Sequence, residues 1–215
     1  MPSLSLTVPV IGILRGVPGD FFKELMPACF EAGLDAIEVT VNTPNAFEII
    51  ADNRAKVPPG KLLGMGTVRN LAEARLAVDA GAMFLVSPNL DIEVIAYAAD
   101  LQLPTVTGAL TPTEVYEAWS NGAAMVKVFP CGAMGGPRYI KELRGPFDPI
   151  PLVAVGGVER DNLAQYFAAG ATAVGVSSSL FGKQALAEKN LNMLTKNVKE
   201  YIALCAAISK KAAGQ

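Results

Sequence analysis

Short apolar or β-branched runs recur about every 20 to 27 residues along this chain, and the stretches between them place apolar residues at helical spacing. The runs cover residues 10–15, 36–41, 62–68, 83–88, 104–108, 125–129, 152–156 and 173–177. Helical patterns fill 20–32, 44–55, 71–80, 92–99, 112–121, 138–143 and 161–169, and a final helix or pair runs from 183 to 210. Such alternation is the signature of repeated βα units with parallel strands. Eight strands and eight helical segments predict an α/β fold, a single (β/α)8 TIM barrel domain over residues 1–215. Punctuation agrees with that count. Gly33, Gly81, Gly122 and Gly170 each fall after a helical pattern and before a strand, where a left-handed cap favours glycine. Pro44 and Pro112 suit first helical turns. The competing fold is an open doubly wound sheet, but Gly64-Met65-Gly66 lacks the third glycine of a dinucleotide fingerprint. With 215 residues the chain is short for such a barrel, so its loops must be tight, with no lid domain. The tail from 183 to 215 reads as an amphipathic helix that closes the barrel, with a frayed basic end at Lys210 and Lys211.

In a barrel of this kind the chemistry comes from the C-terminal ends of the strands and the loops after them. Polar residues concentrate there: Arg15, then Glu38, Thr40 and Asn42, Thr67, Ser87-Pro88-Asn89, and Lys127 before Phe129. Lys127 stands out, because it interrupts the apolar run Met125-Val126-Lys127-Val128-Phe129-Pro130. Burial disfavours the charged amine and yields a neutral nucleophile able to attack a carbonyl. A Schiff-base lysine is one reading, and a lysine that snorkels or pairs with a carboxylate is the other. Glu38 interrupts Ala36-Ile37-Glu38-Val39-Thr40-Val41 in the same way. Regular alternation would point both groups into the barrel, as a proton-moving pair or as a structural ion pair. Val155-Gly156-Gly157 and Gly175-Val176-Ser177-Ser178-Ser179 end the last two strands, where barrels often hold a phosphate. Gly135-Gly136 can add further amides. The expected substrate is a small phosphorylated molecule.

Composition narrows the choices. The chain has no histidine, which removes imidazole acid–base chemistry, Ser-His and Cys-His nucleophiles and the usual catalytic zinc ligands. No metal site and no cofactor is expected. A net charge of -2 without a basic run gives no reason to expect nucleic acid or a membrane surface as partner. The three cysteines, Cys29, Cys131 and Cys205, are far apart and read as buried small hydrophobes in a reducing, cytoplasmic setting. Residues 1–13 show no basic segment ahead of their apolar residues, so no signal peptide is expected. The uncharged stretch 162–182 carries glycines and serines that argue against a membrane span.

Taken together, Glu38-Val39-Thr40 with Asn42-Thr43-Pro44, Gly64-Met65-Gly66-Thr67-Val68, Ser87-Pro88-Asn89, Val126-Lys127-Val128-Phe129-Pro130, Gly156-Gly157 and Ser178 resemble a known family. It is that of the class I 2-keto-3-deoxy-6-phosphogluconate and 6-phosphogalactonate aldolases, which includes the 4-hydroxy-2-oxoglutarate aldolases, and the resemblance covers nearly the whole chain. It implies an aldehyde-lyase that yields pyruvate and D-glyceraldehyde 3-phosphate. Lys127 would form the Schiff base and Glu38 would shuttle protons. By the same resemblance Thr67 contacts the substrate carboxylate, Pro88 and Phe129 wall the pyruvyl part, and Gly156, Gly157 and Ser178 hold the phosphate. A homotrimer is also implied.

This chain departs from the gluconate members at Asn42, where they usually carry the arginine that binds the carboxylate. Arg15 is the available replacement, since its planar fork suits a carboxylate, although an arginine at a loop start can also be mere surface. Asn42 and Val155, the latter where gluconate members tend to have threonine, resemble the galactonate branch. So do Gly136-Pro137-Arg138-Tyr139-Ile140-Lys141 and Asp161-Asn162-Leu163-Ala164-Gln165. Three alternatives stand beside this reading: a 4-hydroxy-2-oxoglutarate aldolase, a phosphate-binding barrel of another reaction such as an epimerase or a thiamin phosphate synthase-like enzyme, and a sugar-phosphate sensor without turnover. The last two have no use for a buried Lys127 beside Glu38.

Overall fold

A computed structural model describes residues 3–213. Eight parallel strands close into one barrel in sequence order. They are β1 (Val10–Leu14), β2 (Ala36–Thr40), β3 (Leu62–Gly66), β4 (Leu85–Val86), β5 (Thr105–Ala109), β6 (Met125–Val128), β7 (Leu152–Val155) and β8 (Ala173–Val176). Between them run α1 (Gly19–Glu31), α2 (Ala46–Arg54), α3 (Leu71–Asp79), α4 (Ile92–Asp100), α5 (Pro112–Ser120), α6 (Pro137–Arg144) and α7 (Leu163–Ala168). After β8 come the short α8 (Ser178–Phe181) and α9 (Lys183–Ala187), then the long α10 (Leu191–Ala213). The (β/α)8 barrel is therefore the fold, and no helix among the described residues is long and apolar enough to cross a membrane.

Every strand is sandwiched between two apolar layers, which is why the runs read as continuous rather than alternating. Ile11, Ala36, Phe84, Val106, Met125, Val153 and Ala173 fill the barrel interior, with Leu4 and Leu6 at its N-terminal end. Residues of opposite parity, such as Ile37, Leu63, Val126, Leu152 and Val174, pack outward beneath the helices. The three cysteines are buried.

Gly33, Gly81, Gly122 and Gly170 do take positive φ, from 92° to 106°, just past their helices. Pro112 opens α5 behind a Thr111–Glu114 capping box. Pro44 differs from expectation. Thr43 makes a tight turn back onto Thr40, and Asn45 adopts a left-handed φ of 56°, so α2 begins only at Ala46. The 83–88 run is a strand only at Leu85–Val86, although Met83 N and Ser87 N still donate to Leu63 O and Val106 O on either side, and Pro88 has no N–H to carry the ladder further. α8 and a 3-10 turn at Gly132–Met134 went unforeseen. α9 and α10 are the pair expected in the tail, whereas the side chains of Lys210 and Lys211 and all of residues 1, 2, 214 and 215 lie outside what is described.

Candidate active site

Parity places the two unusual ionisable groups. Lys127 shares the inward face of β6 with Met125, and Glu38 shares that of β2 with Ala36. Both are buried, Glu38 at 1% exposure and Lys127 at 6%. Two glycines make room around them. A Cβ on Gly66, at the end of β3, would collide with the Glu38 carboxylate, so that carboxylate lies directly over the glycine. On β5, Gly108 is the register neighbour of Lys127, and a Cβ there would collide with the Pro88 backbone. The side chain of Ser87 holds that turn, donating to Asn89 O at 2.7 Å and accepting from Gly108 N at 3.0 Å.

The electrostatics are those of a pair that attract without touching. Burial raises the Glu38 carboxyl from 4.5 to about 7, against the opposing pull of Lys127 and Arg15. Burial likewise depresses Lys127, with Glu38 pulling it up and Arg15 pushing it further down. Among the described residues no ion pair within 4.0 Å joins the two, and Glu38 Oε2 is buried with no hydrogen-bond partner. Lys127 Nζ instead sits 5.1 Å from the centre of the Phe129 ring. An amine whose charged form burial disfavours, a carboxyl that can change protonation near neutrality and an unsatisfied acceptor together suit addition to a carbonyl followed by local proton transfer.

Beyond Phe129 the barrel mouth opens into a cavity of about 270 Å³ lined by Arg15, Phe129, Val155, Gly156, Gly157 and Ser178 among others. Both glycines have positive φ, 88° and 77°. Gly157 leaves no room for a side chain, because a Cβ would lie 2.9 Å from Gly132 Cα. The strand ends expected to hold an anion therefore do meet at one concavity, with Arg15 on its rim. Asn42 is exposed at the end of β2. Thr67 follows Gly66 with φ of 59°, a strained conformation for a β-branched residue at the end of β3.

Sequence reasoning missed what holds Arg15 in place. Thr43 Oγ1 accepts from Gly16 N at 2.9 Å and lies 3.1 Å from Thr40 Oγ1, so the loop after β2 pins the turn that follows Arg15. The signal was available only as two threonines beside the Glu38 strand. It also missed the supports of the segment after β8. The Arg160 guanidinium bridges Ser179 O, Asn197 O and Glu200, and Asn197 Nδ2 donates to Phe181 O at 2.8 Å. These contacts span up to 40 residues of sequence and have no local pattern.

A family model described as KDPG and KHG aldolase matches residues 5–197. The probable 2-dehydro-3-deoxy-6-phosphogalactonate aldolase of Rhizobium meliloti (strain 1021) is 38% identical over 175 residues, covering 80% of this chain and 82% of its own. A solved structure of native KDPGal superposes with a TM-score of 0.85 at 30% identity, covering 99% of this chain and 100% of that one. The KDPG aldolase of Legionella pneumophila, captured at low pH with pyruvate as a covalent carbinolamine intermediate, gives 0.84 at 26% identity, with 91% and 95% covered.

Proposed function

This chain belongs to the KDPG and KHG aldolase family and is a carbon–carbon lyase, and we propose that it cleaves a 2-keto-3-deoxy-6-phospho sugar acid through a Schiff base on Lys127. The observation that carries the assignment is the inward-facing Lys127 and Glu38, attracted to each other yet unjoined, with a bare carboxylate oxygen between the strands. The carbinolamine captured in the Legionella relative supports the same chemistry.

In this reading the Lys127 amine, in the uncharged form that burial favours, adds to the C2 ketone. Glu38, protonated near neutral pH, donates its proton to the departing hydroxyl, so water leaves and an iminium remains. The resulting Glu38 carboxylate takes the proton of the C4 hydroxyl. The C3–C4 bond then breaks with its electron pair entering the iminium, which becomes an enamine, while C4 leaves as the aldehyde of D-glyceraldehyde 3-phosphate. Protonation of the enamine at C3 and hydrolysis of the iminium release pyruvate and restore Lys127. Arg15 and Thr67 receive the substrate carboxylate, Pro88 and Phe129 wall the pyruvyl part, and the amides of Gly156 and Gly157 with the Ser178 hydroxyl receive the phosphate. The galactonate epimer is the favoured substrate. Asn42 and Val155 support it, as does the likeness to galactonate aldolases.

The test is intact mass and peptide mapping after incubation with pyruvate and sodium borohydride, beside Lys127→Ala. A reduced pyruvyl adduct confined to Lys127, with the variant losing activity by on the order of 10⁴ or more, is the expected outcome. Folded wild-type protein without an adduct overturns the assignment.

A further inference from the structure

The cavity that receives the end of the substrate farthest from Lys127 carries a charge that a phosphate site does not call for. Glu159 lines it together with Arg15 and Ser178. Glu159 is exposed, and among the described residues its carboxylate makes no hydrogen bond or ion pair, while its own N–H donates to Asn162 Oδ1 at 2.9 Å and so fixes where its backbone sits. The neighbouring cation does not neutralise it. Arg160 spends its guanidinium on Ser179 O, Asn197 O and Glu200 Oε2, the last at 3.1 Å. Arg15 is the cation on the cavity wall, and its charge is shared with Glu38 and Lys127, whose protonation it also biases. With Arg15 receiving the substrate carboxylate, Glu159 is the remaining charged residue among those that line the cavity. On the reading above, a dianionic phosphate there would be held by backbone amides and a hydroxyl in a cavity that Glu159 also lines.

We infer that Glu159 is a specificity-determining residue for the terminal group of the substrate: it offsets the electrostatic advantage of a phosphate and lets the site accept 2-keto-3-deoxy sugar acids that end in a hydroxyl. A neutral hydroxyl suffers no repulsion from the carboxylate, can donate a hydrogen bond to it, and uses the same amides and Ser178 as partners. The inference rests on the aldolase reading of the site above.

The experiment compares kcat/KM for the 6-phospho substrate and its dephosphorylated counterpart in wild type, Glu159→Gln and Asp161→Asn. Asp161 is the control, because it carries the same charge two residues on and does not line this cavity. Glu159→Gln is expected to raise the phospho-to-hydroxyl preference by about three- to tenfold at low salt, chiefly through KM, with the gain shrinking as salt screens the site. Asp161→Asn leaves the preference within about twofold of wild type. An unchanged preference in Glu159→Gln, or an equal change in both variants, overturns the inference. The borohydride adduct on Lys127 is measured alongside. Its absence overturns the aldolase reading itself, whereas its presence with an unmoved preference overturns only the role of Glu159.

Discussion

Two carboxylate–lysine pairs share the neighbourhood of β2, and their fates are opposite. At the N-terminal end of the barrel Asp35 meets Lys61 at 2.8 Å and accepts Val8 N at 2.7 Å. Its burial would raise the carboxyl, but the Lys61 and Val8 bonds outweigh that and hold it below the usual range. Three residues along, at the C-terminal end, Glu38 and Lys127 are buried without closing on each other, and Glu38 rises to about 7. The first pair satisfies its desolvation locally and is structural. The second leaves it unsatisfied, which costs stability and, in the proposed mechanism, keeps a nucleophile and a proton carrier free for a substrate.

Glu38→Gln breaks the open pair most sharply. It is expected to lower kcat by about 10²–10⁴ and to erase the limb of the kcat/KM profile near pH 7. Stability must respond too. The folded-state value is raised from 4.5 to about 7, so the folded protein holds the proton more tightly and loses stability as pH rises through that window. Denaturant midpoints at pH 5 and pH 8 should differ less in the variant than in wild type; an equal difference would mean that Glu38 does not titrate there.

Gly66→Ala tests whether the placement of Glu38, rather than its presence, matters. The new methyl must push the carboxylate aside, and a displacement of that size should cost about 10²-fold in kcat. The pyruvate adduct on Lys127 should still form at saturation. Full activity would show that Glu38 has freedom its surroundings do not suggest.

The smallest effect belongs to the closed pair. Lys61→Met should leave kcat/KM unchanged and cost about 1–3 kcal/mol of stability, read as a lower midpoint in urea. Because the Asp35 carboxyl is held low, its contribution is present above its ordinary value of 3.8 and lost as pH falls through the folded value, opposite in sign to Glu38. Lost activity in this variant would mean that the two ends of the barrel are coupled.

The strand runs and capping glycines were legible because burial on both faces and left-handed caps act on residues close in sequence. Lys127 and Glu38 were legible because a charge inside an apolar run is conspicuous wherever it occurs. Pro44 misled because the Thr43 turn that delays α2 is tied to Gly16, 27 residues away. Glu159 and Arg160 look alike in the sequence as neighbouring surface charges, and only their partners separate them.

What the sequence determined by itself was the number and order of the strands and the kind of chemistry the barrel could hold, since periodicity and residue type are local properties. Only the closed barrel decided that Asp35 finds its lysine while Glu38 does not, that Gly66 and Gly108 open space for the site, and that Arg15 and Glu159 line one cavity at the barrel mouth. Those outcomes depend on distances between strands far apart in the chain, and a distance across a barrel is fixed only when the sheet closes.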